Sequence, residues 1–80
     1  MVDPAVGSNA SMTIENSSLN MIRAQEQARV VIKNSVLNGS KSTRTKISAI
    51  NASIIRIENL QGLKQRHIYE DGGRVIVQKN

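Results

Sequence analysis

Phenylalanine, tryptophan and cysteine are all absent from this 80-residue chain, and Tyr69 is its only aromatic residue. Any core must therefore be assembled from aliphatic side chains alone. The same absence excludes a disulfide scaffold, a cysteine-rich metal module and an aromatic platform for stacking bases. Eighty residues make one small domain. No stretch approaches the roughly 18 consecutive apolar residues of a membrane-spanning helix. Nothing in the sequence names an activity.

The first 17 residues are small and polar and show no usable hydrophobic period, so residues 1–17 are expected to form a flexible arm. Gly7-Ser8-Asn9-Ala10-Ser11-Met12 also has the look of an expression-vector scar, with Met12 as the natural start. Residues 18–38 lack Gly and Pro and are rich in helix formers. Ser17 or Ser18 is placed to cap a helix start, and Met21, Ala24, Ala28, Val31 and Ser35 recur at helical spacing. Val30-Val31-Ile32 would suit a strand, but the breaker-free context favours helix. Asn38-Gly39-Ser40 closes that helix, and Ser40 or Ser42 caps the next. Over residues 42–60, Ile47, Ile50, Ile54 and Ile57 form an isoleucine seam of coiled-coil type. After Gln61-Gly62, residues 66–70 and 74–78 read as a β-hairpin around Asp71-Gly72-Gly73. The expected fold is thus mainly α: an antiparallel helical hairpin (about 18–38 and 42–60) followed by a C-terminal β-hairpin.

Two helices and a hairpin without a large aromatic make a thin core. Self-association through Met21, Ala24, Ala28, Val31, Ile47, Ile50, Ile54 and Ile57 is the expected remedy. An enzyme is not expected, nor a cofactor, a metal or a small-molecule substrate. His67 is the sole histidine, and Glu70 and Asp71 fall in a turn where such residues serve geometry.

Charge divides unevenly along the chain. Residues 1–40 carry three basic and three acidic side chains, whereas residues 41–80 carry eight and three, which accounts for the whole net charge of +5. The start of the second expected helix gathers Ser40, Lys41, Ser42, Thr43, Arg44 and Lys46, where a helix dipole would favour phosphate. Lys64, Arg66 and Arg74 on the hairpin extend this set of candidate phosphate contacts. Gly39-Ser40-Lys41-Ser42 is not a phosphate-binding loop, because Ser35 and Ser40 stand where that motif requires glycine. Ser42–Leu60, Gly62-Leu63 and Ile68–Val77 with Arg66 and Arg74 together resemble the back half of a winged-helix DNA-binding domain, which implies a recognition helix followed by a basic wing. Residues 18–38 depart from that family in reading as one long helix instead of two short ones, and membership is not assigned.

The expected function is a non-enzymatic assembly protein that packs into a homo-oligomer or larger particle, such as a phage-type virion. The alternative is a small basic nucleic-acid-binding protein. The N-terminus has no basic and apolar segments of a secretory signal, and four Asn-x-Ser sequons, at Asn9, Asn16, Asn38 and Asn51, mean nothing without such a route. A reducing cytoplasm, or a particle assembled there, is the expected location.

Overall fold

The computed structural model describes residues 5–6 and 9–78. Among these residues there is no α-helix. Nine strands follow one another: β1 Ala5–Val6, β2 Ser11–Glu15, β3 Ser18–Leu19, β4 Ile22–Ala24, β5 Arg29–Leu37, β6 Ile47–Ile50, β7 Ile54–Gln61, β8 Ile68–Asp71 and β9 Arg74–Gln78, with one 3-10 turn at Gln65–His67. All strand pairings are parallel. One sheet runs β1-β4-β6-β8 and the other β2-β5-β7-β9, with β3 also paired to β5. Parallel neighbours need a long crossover between them, and here the crossover is the remainder of the coil itself. The chain is a β-solenoid, each turn stacking one rung on the last.

The register shows the coil directly. Ser11 pairs with Arg29, Arg29 with Ile54 and Ile54 with Arg74, so successive rungs lie 18, 25 and 20 residues apart. Inward positions stack like on like: Ile14, Ile32, Ile57 and Val77 form one column, and Ile22, Ile47 and Ile68 another. The interior residues of these columns are buried, and no aromatic is needed because each aliphatic side chain meets its counterpart one rung away.

Bends in the coil are made by left-handed residues. Asn16, Asn34 and Asn59 have φ of 53°, 47° and 72°. Asparagine tolerates this region better than most side chains. The register Glu15–Lys33–Glu58 puts these three asparagines in the next column, and Asn59 Nδ2 donates to Asn34 Oδ1 at 3.1 Å. Each reverses the alternation of the strand. Val30 and Ile32 point inward before Asn34, and Ser35 and Leu37 point inward after it. Ser17 and Ser35, each directly after such an asparagine, donate to the carbonyls of Glu15 (2.8 Å) and Lys33 (2.9 Å). The opposite corner is turned by Glu26-Gln27, Asn51-Ala52 and Gly72, again with positive φ. There the buried Ser53 hydroxyl donates to the Ala24 carbonyl at 3.0 Å.

These observations overturn the helical hairpin and its coiled-coil seam. Glu26-Gln27 and Asn51-Ala52 interrupt both expected helices with left-handed pairs, which cost roughly 1–2 kcal/mol per residue and end any helix. The β-branched runs that flank them form β5, β6 and β7. Ser17 and Ser42 cap no helix; the Ser42 hydroxyl accepts from the Arg44 amide at 3.1 Å within a loop. The flexible arm is corrected as well, since Ser11–Glu15 pairs along β5 and Ala5–Val6 along β4, while residues 1–4 and 7–8 lie outside the described ones. The C-terminal hairpin is not formed. Gly72 and Gly73 do turn the chain, but from one sheet to the other, so β8 pairs with β6 and β9 with β7. A Cβ on Gly73 would lie 2.5 Å from the Ala49 carbonyl carbon, so only glycine lets the last rung approach so closely. The likeness to a winged helix lapses with its recognition helix.

Candidate functional site

The helical seam does not exist as a surface. Ala24, Ala28, Ile47 and Ile57 are buried core residues, whereas Met21 and Ile54 are exposed and Val31 and Ile50 half-buried on outer faces. Exposed apolar side chains stand singly on the outer faces, at Met21, Val36, Ile54 and Tyr69, and also on the outermost described rungs. At the first rung Met12 is 36% exposed, and at the last Val77 is 45% exposed, although their column neighbours Val30 and Ile57 are each 1% exposed.

A second feature occupies the third corner, where the sheet-two strands hand over to sheet one. Only residues 20–21 make this connection in the first rung, against residues 38–46 in the second and 62–67 in the third. The two longer loops lie on one another. The Lys46 amide donates to the His67 carbonyl at 2.8 Å, and the Arg66 guanidinium donates from Nε to the Ser42 carbonyl (2.9 Å) and from Nη2 to the Ser40 carbonyl (2.8 Å). His67 is fully buried between them. Its Nδ1 accepts from the Lys64 amide at 3.0 Å, so the ring proton sits on Nε2, which donates to the Ser42 carbonyl at 2.9 Å. Lys46 is also buried, and its Nζ donates to the Asn20 backbone carbonyl (3.3 Å) and to Asn20 Oδ1 (3.4 Å).

Of the candidate phosphate contacts, Ser40, Lys41, Ser42, Thr43, Arg44 and Lys46 lie on the first of these loops and Lys64 and Arg66 on the second, so the fold brings eight of the nine together. The reason differs from the expected one, because no helix and no helix dipole is present. Arg74 lies elsewhere, at the start of β9 beside the opposite corner. Sequence reasoning missed the parts that hold the site in place, His67 and Asn20. It also missed the end-rung residues Met12 and Val77. No helix of the described residues is long and apolar enough to cross a membrane. No family model, no curated protein and no solved structure matches the chain.

Proposed function

We propose that this chain is a non-enzymatic assembly module that joins other copies of itself end to end, extending the solenoid. The observation that carries the reading is the exposure of Met12 and Val77 on the outermost described rungs, at positions where the interior rungs are closed. Strand geometry fits the same partner. β2 and β9 are both five residues long and start in the same register column, which runs Ser11, Arg29, Ile54, Arg74. Stacking the last rung of one copy on the first rung of the next places Val75 on Met12, Val77 on Ile14 and Gln78 on Glu15, with no like charges opposed. It also satisfies the outward backbone groups of both edge strands. Such a contact joins two different surfaces and does not close on itself, so it builds open filaments. We place the module in the cytoplasm or in a particle assembled there, on the cysteine-free composition.

Light scattering across a concentration series tests this. The wild-type mass should rise with concentration, and Met12→Lys or Val77→Lys should each hold the protein at the monomer. An equimolar mixture of the two variants should give dimers only, since one intact end of each kind remains. A wild-type protein that is monomeric throughout, or variants that assemble as it does, would refute the reading.

A further inference from the structure

We infer that the third corner is a docking surface for the phosphate backbone of nucleic acid. The corner carries Lys41, Arg44, Lys46, Lys64 and Arg66, and no Asp or Glu occurs in residues 20–21, 38–46 or 62–67. Lys41, Arg44 and Lys64 are exposed, and among the described residues their side chains have no partner. Arg66 spends two of its five N–H donors on the Ser40 and Ser42 carbonyls and keeps three for a ligand.

The backbone that carries these cations is also held in place, which a solvated surface does not require. His67, Arg66 and Lys46 pin residues 38–46 at Ser40, Ser42 and the loop's end. The backbone bond from the Ser42 amide to the Gly39 carbonyl (2.9 Å) closes the intervening turn. Ordering that loop on binding therefore costs little, and the attraction is not consumed by lost freedom. The bonds from Arg66 to the Ser40 and Ser42 carbonyls hold the two loops against each other, so Lys64 and Arg66 share one corner with Lys41 and Arg44.

The surroundings separate nucleic acid from other anionic partners. Among the described residues the exposed large apolar side chains are Met12, Met21, Val36, Ile54, Tyr69 and Val77; only Met21 lies at this corner, in the short first-rung connection, and none lies in either of the two longer loops. A membrane surface needs apolar side chains to enter the acyl boundary, and a protein interface needs a buried anchor at its centre. A phosphate backbone needs neither: cations and hydroxyl or amide donors suffice, and Ser40, Ser42 and Thr43 stand among them. With no aromatic and no base-reading element at the corner, binding is indifferent to sequence.

Titration of a mixed-sequence DNA duplex and a single-stranded RNA at about 50 mM and about 200 mM salt provides the test. Three to four neutralised phosphates predict a loss of duplex affinity of about 40- to 150-fold between those concentrations. In the triple variant Lys41→Gln, Arg44→Gln, Lys64→Gln, which keeps one such contact at most, the loss should shrink to no more than about 3- to 4-fold, with the single variants graded between. Arg56→Gln, on the outer face of the second sheet, should match wild type. Circular dichroism on each variant shows whether it folds, and the graded singles stand if the triple does not. Absence of binding at about 50 mM salt, an unaltered slope in the singles, or binding to phosphatidylserine vesicles in place of nucleic acid would each overturn the inference.

Discussion

Ile54 and Ile55 are chemically identical neighbours, and the solenoid assigns them opposite fates. Ile55 is fully buried in the column between Val30 and Val75, whereas Ile54 is 37% exposed on the outer face of β7. A helical seam would do the reverse, burying Ile54 and leaving Ile55 at its flank. Truncating a buried isoleucine to alanine costs about 2–5 kcal/mol, from lost transfer energy and the cavity left behind. A chain of this length has a total stability of roughly 4–12 kcal/mol, so Ile55→Ala should remove a large fraction of it. The gentler Ile55→Val should cost about 0.5–1.5 kcal/mol and lower Tm by about 2–12 °C. Ile54→Ala should cost no more than about 1 kcal/mol, mostly in strand preference. Both positions lie in an interior rung, so end-to-end assembly does not disturb the comparison. Urea unfolding followed by far-ultraviolet circular dichroism gives the midpoints, and an unchanged slope would show that the same surface is exposed in each variant. Equal costs at the two positions, or a greater cost at Ile54, would refute the inward and outward assignment and with it the solenoid.

Two further outcomes follow from the corners. Asn59→Gly should leave stability within about 1 kcal/mol of wild type, since glycine adopts φ of 72° freely and only the bond to Asn34 is lost, while Asn59→Val should cost more, because a β-branched residue resists that region; equal midpoints for the two variants would contradict the bend. His67→Ala should cost at least about 2 kcal/mol by emptying a buried site and stranding the Lys64 amide, and hydrogen exchange should quicken there and across residues 38–46; unchanged exchange would show that the histidine does not hold the loop.

The strands were legible in fragments, and their pairing was not. Val30-Val31-Ile32 has the β-branched character of the strand it forms, but the long breaker-free setting outweighs it when only Gly and Pro are counted as breakers. The breakers here are Glu26, Gln27, Asn51 and Ala52, residues whose left-handed backbone is imposed by the coil and not announced by their side chains. Isoleucines at 47, 50, 54 and 57 match helical spacing only because a three-residue corner, 51–53, separates two strands of period two. The signal that would have revealed the fold is internal repetition. Met-Thr-Ile-Glu-Asn-Ser-Ser-Leu-Asn at 12–20 aligns with Val-Val-Ile-Lys-Asn-Ser-Val-Leu-Asn at 30–38 and, more briefly, with Ile-Arg-Ile-Glu-Asn at 55–59. Each copy places a left-handed asparagine two residues after an inward isoleucine. The basic corner was visible as a charge cluster, since Lys41, Arg44 and Lys64 needed only proximity. Its supports were hidden, because nothing in the local sequence of His67 tells that a loop 25 residues earlier covers it.

Parallel stacking has a consequence for how such a molecule forms and changes. Every ladder joins segments 18 to 25 residues apart, and lengthening the coil adds contacts without stretching any of them. The loop closed by each new rung is the same size whether it is the third or the thirtieth, so the entropy of adding one stays constant along the stack. Formation is then nucleation followed by propagation: the first two rungs are the costly event, and later rungs zip onto a template already in place. A hereditary duplication of about 20 residues would lengthen the rod by one turn and leave every existing contact as it was.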